Sequence, residues 1–167
     1  RHRARADPIT DSDNSARPWS RTGAALVPEF EALDRFLDGL LKGERLESFE
    51  VLSGGKANTN LRLVCKGSTP DLVLRIYQRD PAQREKEVAI CGLLRQRVPV
   101  PDIVVHGADS GVLHEPYALM AFVEGQTIEA RFHKLDAAER RALGHSLGST
   151  LATIHAETYE SAGFLNE

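Results

Sequence analysis

Two short segments with alternating apolar residues, joined by a turn-forming stretch, constrain the fold of this chain most strongly. In LRLVC (61–65) and LVLRIY (72–77), every second residue from the first onward is Leu, Ile or Cys. A spacing of two residues places side chains on one face of a β-strand. The KGSTPD stretch between the segments is a turn signal. The pattern predicts two antiparallel, half-buried strands, with Val73, Arg75 and Tyr77 on the face opposite the core.

The flanking sequence extends this pattern into a larger sheet. A segment at about 48–53 leads into Gly54-Gly55 and predicts a hairpin with a long tip. Pro81 favours the start of a helix, which VPVPD at 98–102 ends. Short β-rich runs at 103–106 and 117–121 predict two further strands. We therefore expect five antiparallel strands and one packed helix.

Helical spacing appears on both sides of this region. Apolar residues recur at helical spacing from Val27 to Leu41, and again from Asp136 to about Thr158. Asp136 is a suitable N-cap for the second helix. We expect that helix to bury one face.

Four features of the strand region suggest chemistry. Gly54-Gly55 can let backbone N–H groups approach phosphate closely, and Arg75 can clamp phosphate oxygens. An acid on the following helix can orient Arg75, and Glu85 and Glu87 are the candidates. The PYALMAFVEG segment (116–125) supplies a buried strand and then a turn. Taken singly, these features are also explained as a hairpin tip, an exposed cation, a solvated charge and core residues.

Together, in this order and spacing, they resemble the aminoglycoside phosphotransferase and choline kinase family. The resemblance covers about Phe49 to Gly125 well, and LGSTLATIHAET (147–158) more loosely. Glu87 lies where the family has its ion-pair acid and is therefore preferred to Glu85. The looser match implies that His155 is a structural helix residue rather than a catalytic base. LVLR departs from the V-A-I-K strand of protein kinases and is similar to the Arg-bearing form in choline kinases. The resemblance implies an α+β fold. The expected fold is a protein-kinase-like N-lobe, with a five-stranded antiparallel sheet plus helix, followed by a truncated helical C-lobe segment.

The resemblance also implies a nucleotide site and a domain plan. Val73 would roof the adenine ring, Met120 would line its pocket, and the carbonyl of Ala121 and the N–H of Val123 would bind its edge. The residues implied to bind nucleotide are Ser53, Gly54, Gly55, Asn58, Val73, Arg75, Glu87, Met120, Ala121 and Val123. We expect a disordered tail at 1–24, the N-lobe with its leading helix at 25–125, and helices of an incomplete C-lobe at 126–167.

The resemblance implies ATP or GTP with Mg²⁺ as cofactors, with the metal ligands outside this chain. None of the six histidines begins the H-x-D catalytic sequence of the family. Two functions therefore compete. The first is the nucleotide-binding portion of a kinase that acts on a small hydroxylated acceptor and is not catalytic as this chain alone. The second is a non-catalytic, truncated kinase-like module that acts through protein contacts. Either function predicts exposed apolar helix faces and self-association, because a truncated lobe leaves those faces without their packing partner.

Composition limits the other partners. The net charge of -3 is no basis for binding nucleic acid or an anionic membrane. No run approaches the roughly 18 apolar residues of a membrane helix. The first 23 residues lack the apolar core of a secretory signal. Cys65 and Cys91 lie in a predicted strand and a predicted helix, which favours a reducing, cytoplasmic location.

Overall fold

The computed structural model describes residues 25–52, 57–67, 69–158 and 160. The predicted tail at 1–24 and the predicted loop residues Ser53, Gly54 and Gly55 lie outside this part of the chain. In chain order the elements are helix α1 (Phe30–Leu40), strands β1 (Leu46–Val51), β2 (Thr59–Cys65) and β3 (Leu72–Ile76), helix α2 (Gln83–Leu94), strands β4 (Ile103–Gly107) and β5 (Tyr117–Ala121), helix α3 (Ile128–Arg131), which runs into a 3-10 turn (Phe132–Lys134), and helix α4 (Ala137–His155).

The five strands form one sheet in the order β1-β2-β3-β5-β4. Every neighbouring pair is antiparallel, which confirms the predicted sheet. Strand β3 lies at the centre, between β2 and β5. Its Arg75 is paired with Asn60 on β2 and with Ala118 on β5. The register therefore places Arg75 in the middle of one sheet face.

Helix α1 covers the other face of the sheet. Its Leu33, Phe36 and Leu37 are buried in one cluster with the inward residues of β2 and β3. The Phe36 ring meets the Tyr117 ring edge-on, with centroids 5.0 Å apart. The alternating apolar positions predicted for β2 and β3 are the buried ones, as their burial patterns show. The main core thus lies between α1 and the sheet.

A buried carboxylate joins α1 to the start of β1. Asp34 accepts hydrogen bonds from the backbone N–H of Leu46 at 2.8 Å and from Arg45 Nε at 3.0 Å. These bonds, the Arg45 bond first, lower the pKa of Asp34 below its ordinary value. In the folded protein the Asp34 carboxylate is therefore an anion that is hydrogen-bonded to Arg45 and to the Leu46 N–H.

Helix α4 begins as its sequence predicts, but its burial differs from the prediction. Asp136 accepts bonds from the N–H groups of Ala138 and Glu139, and the Glu139 carboxylate accepts the Asp136 N–H, forming a capping box. The expectation that α4 buries one face is wrong for the described residues, since none of the helix is buried. Leu147 and Leu151 remain 50% and 51% exposed. The apolar spacing is present, but the described chain covers that face only in part, since Leu143 and Ile154 are half-buried.

None of the helices in the described part of the chain has the length and apolar character needed to cross a membrane. The self-association expected from exposed apolar helix faces stays a prediction.

Candidate nucleotide-binding site

The candidate site lies on the sheet face opposite α1. There, a second and smaller buried cluster contains Tyr77, Ala118 and Met120, with Val73 and Ile103 packed against it. Val73 and Met120 are cross-strand partners on β3 and β5, so they form adjacent parts of one apolar surface. Arg75 follows two residues after Val73 on the same face. A cation and an apolar surface therefore lie side by side.

Arg75 is held in two directions. Its Nη1 pairs with Glu87 on α2, and its Nε donates to Asn60 Oδ1 at 2.8 Å. The Arg75 side chain is 29% exposed, so the guanidinium still reaches solvent. Arg75 therefore pairs with Glu87 and not with the alternative, Glu85. Glu85 is exposed and pairs with Arg84 at 2.8 Å.

Glu87 has a second partner that the sequence reasoning did not assign. The Tyr77 hydroxyl donates to Glu87 Oε2 at 2.7 Å, and Tyr77 is fully buried. Burial is the largest cause that raises the pKa of Tyr77. The hydrogen bond to Glu87 and the negative charge of Glu87 raise this pKa further. Tyr77 is therefore a neutral donor at any physiological pH. One turn along α2, burial and then the Glu87 charge also raise the pKa of Cys91, so its thiol stays protonated.

The segment after β5 leaves the sheet with a free backbone donor. The N–H of Ala121, the last residue of β5, donates to the carbonyl of Asp102 at 2.9 Å. Val123 is 67% exposed, and its N–H has no hydrogen-bond partner among the described residues. Gly125 has φ +151°, a conformation that favours glycine, and there the chain turns away.

Phe122 is held against the sheet by Arg62 and Asp71, two residues that the sequence did not single out. The guanidinium of Arg62, on β2, lies 4.2 Å from the centre of the Phe122 ring. Arg62 Nε also donates to Asp71 at 2.8 Å, and the carbonyl of Asp71 accepts the Phe122 N–H at 3.0 Å. These contacts fix where the segment leaves β5. The alternation of β2 could have placed Arg62 on the site face, but its ring partner depends on the fold.

Of the predicted phosphate loop, only Asn58 is described. Its Oδ1 is buried and has no hydrogen-bond partner in the described part of the chain. A buried amide oxygen without a donor is rare in folded proteins, so this atom is suited to accept a bond. The described residues contain no group of three or more His, Cys, Asp or Glu side chains that could hold a metal ion.

Comparisons with known proteins agree with this fold. The sequence model described as "Phosphotransferase enzyme family" matches residues 48–167. The GDP and kanamycin complex of APH(2")-IIia has a TM-score of 0.61 and 22% identity, over 74% of this chain and 41% of that one. The GDP complex of an aminoglycoside 2'-phosphotransferase mutant gives 0.62 and 21%, over 78% and 42%.

A third structure, the streptomycin and ATP ternary complex of APH(2")-IIa, gives a TM-score of 0.54 and 18% identity, over 84% of this chain and 44% of that one. The chain thus spans less than half the length of each of these structures. No curated protein sequence matches it. The likeness to solved structures shows a shared kinase-like fold. The family match covers most of the chain, and on that basis the chain belongs to the phosphotransferase enzyme family.

Proposed function

We propose that this chain is the nucleotide-binding portion of a small-molecule phosphotransferase. One observation carries the proposal: the Arg75–Glu87 ion pair lies beside the apolar surface of Val73 and Met120, on the face opposite the main core. A nucleotide needs a cation for its phosphates and a flat apolar surface for its base, and this face offers both.

Arg75 would bind the phosphates. A guanidinium carries five N–H groups, and Nε and Nη1 each engage one partner, Asn60 and Glu87. The remaining N–H groups can donate to phosphate oxygens, as charge-assisted hydrogen bonds. Ser53, Gly54, Gly55 and the Asn58 amide oxygen, which has no donor among the described residues, are proposed to complete the phosphate side of the site.

The base would lie against Val73 and Met120. Its edge would meet the main chain after β5, at the carbonyl of Ala121 and at the Val123 N–H, for which no partner lies in the described part of the chain. Main-chain groups can serve either purine, so both ATP and GTP are proposed as ligands. The solved complexes with GDP and with ATP support nucleotide use by proteins of this fold.

Mg²⁺ would arrive with the phosphates and neutralise their charge. We propose that its carboxylate ligands lie outside the described residues, which contain no suitable cluster. No histidine is followed two residues later by Asp. We therefore assign no catalytic residue here and propose that this chain alone binds nucleotide without transferring its phosphate. A small hydroxylated molecule is the proposed acceptor, and the cytoplasm the proposed location.

Calorimetric titration with ATP and Mg²⁺, repeated with GTP, tests the proposal. Arg75→Ala should weaken binding by about tenfold or more, because a charge-assisted contact is lost. Arg45→Ala is the matched control, since Arg45 also pairs with a carboxylate, Asp34, but on α1, across the sheet from the site. Loss of binding in Arg75→Ala but not in Arg45→Ala supports the phosphate role. A folded wild-type chain that binds neither nucleotide refutes it.

One observation favours the second candidate, a module that acts through protein contacts. Large apolar side chains are exposed after the hinge, the segment 122–125 that follows β5; they include Phe132 at 49%, Leu147 at 50% and Leu151 at 51%. Where such side chains form a contiguous patch, they are typical of contact surfaces. This function becomes the better explanation if the folded chain binds no nucleotide.

A further inference from the structure

Four side chains form one continuous chain of contacts across the candidate site. Asn60 Oδ1 accepts from Arg75 Nε at 2.8 Å, Arg75 pairs with Glu87 Oε1, and Glu87 Oε2 accepts from the Tyr77 hydroxyl at 2.7 Å. The ion pair thus has a neutral partner at each end. We infer that Asn60 and Tyr77 are positioning residues that fix the Arg75 guanidinium for phosphate, an inference that rests on the proposed function.

The first argument concerns how weakly α2 is held by apolar packing. Leu94 is its only buried residue among those described, while Ile90 and Leu93 are 41% and 39% exposed. Between α2 and β4 there is a cavity of about 290 Å³, lined in part by Val88 and Cys91. The apolar packing of α2 is therefore limited, with Val88 and Cys91 only half-buried. The bonds from Arg75 and Tyr77 link Glu87 directly to β3 and the residue that follows it.

Tyr77 is suited to be the fixed point. It follows β3 directly, is fully buried, and packs in one cluster with Ala118 and Met120. Its backbone N–H also donates to the carbonyl of Pro116 at 2.9 Å. A buried aromatic ring has few alternative positions. Its hydroxyl therefore holds one carboxylate oxygen of Glu87 and leaves the other for Arg75.

Asn60 restrains the other end. It lies directly opposite Arg75 in the β2–β3 ladder. An Arg that pairs with a carboxylate through one Nη group can still rotate its guanidinium plane. A second bond at Nε, from a side chain anchored in the neighbouring strand, removes that freedom. The cost of ordering the guanidinium is then met on folding rather than on nucleotide binding.

The first test uses the nucleotide-free 167-residue chain and reads Arg75 directly. The solvent exchange of the Arg75 Nε–H proton is followed by ¹⁵N NMR in the wild type, Tyr77→Phe and Asn60→Ala. We expect exchange to be faster by about tenfold in Asn60→Ala, which loses the acceptor, and faster in Tyr77→Phe, where Glu87 is released. Asn60→Asp keeps an acceptor oxygen and should restore slow exchange.

The matched control is Tyr117→Phe. Tyr117 is 3% exposed, and the same hydroxyl is removed, but from the cluster on the α1 side. A general loosening of the fold would raise exchange in both tyrosine variants. Faster Arg75 exchange in Tyr77→Phe but not in Tyr117→Phe supports the inference. Unchanged Arg75 exchange in both Tyr77→Phe and Asn60→Ala overturns it, whatever happens to nucleotide affinity.

The second test is an ATP titration in two backgrounds. Tyr77→Phe should weaken ATP binding by about tenfold in the wild type. It should have no effect when Glu87→Ala is already present, because Tyr77 acts through Glu87. An equal loss in both backgrounds overturns the inference. A wild type with slow Arg75 exchange that binds no nucleotide refutes the proposed function, while the NMR comparison still decides the positioning role.

Discussion

Helix α1 should be an integral part of the folded unit, whereas α4 should contribute little to its stability. Leu37 on α1 is fully buried in the main core, and Leu151 on α4 is 51% exposed. Leu→Ala removes the same atoms at both sites. In a well-packed core the substitution costs about 2 to 5 kcal/mol of the free energy of unfolding, because a cavity is added to the lost burial. At a half-exposed helix site the change should stay within about 0.5 kcal/mol.

In a chain of 167 residues, each 1 kcal/mol moves Tm by about 2–4 °C. Leu37→Ala should therefore lower Tm by about 4 to 20 °C, and Leu151→Ala by no more than about 2 °C. Thermal and urea unfolding, followed by far-UV circular dichroism, measure both. Equal changes in the two variants would refute the claim that α1 is in the core and α4 is not. A small change in Leu37→Ala would show that α1 docks only loosely.

Three other predictions concern the hinge, the pH dependence of stability and α4. Val123→Pro removes the Val123 N–H, the proposed donor to the base, and should weaken ATP binding, whereas Val123→Ala should not; equal affinities in titration would exclude this donor. The pKa of Asp34 is lowered on folding, so its contribution is complete above the unfolded value of about 3.9 and is lost as pH falls through the folded value. Urea unfolding from pH 6 to pH 2 should show a shallower acid loss in Asp34→Asn, and parallel curves would contradict this. Leu147→Gln with Leu151→Gln should reduce self-association in light scattering, unless the wild type is already a monomer.

Much of the fold is predictable because its signals are local. The alternation in β2 and β3 and the cap at Asp136 each depend on residues within one element, and the structure has them as expected. Asp34 is different. Within α1 it reads as one more polar residue, and its burial depends on Arg45 and Leu46, which reach it only after the chain has turned.

The burial of α4 could not be predicted for a related reason. Periodicity identifies the apolar face of a helix, as it does with Leu147 and Leu151, but it does not say what covers that face. The covering element is a long-range property. The described residues cover that face only in part, so Leu147 and Leu151 stay about half exposed despite the amphipathic pattern.

The candidate site shows the same division. Arg75 and Glu87 could be predicted from their order along the chain. Tyr77 could have been added, since alternation already places it on the Arg75 face. Asn60 could not, because its contact depends on the β2–β3 register, which joins residues 15 apart in sequence. A shift of one residue would have placed another side chain there.

The two faces of β3, a strand of five residues, have different roles. Leu72, Leu74 and Ile76 are buried in the main core, while Val73 and Arg75 lie at the site. Gaining or losing one residue inside this strand would send Arg75 into the core and turn leucines outward, removing stability and the proposed nucleotide binding together. Among relatives, length changes should therefore be absent from 72–76 and should collect in the connections on either side, such as 108–113.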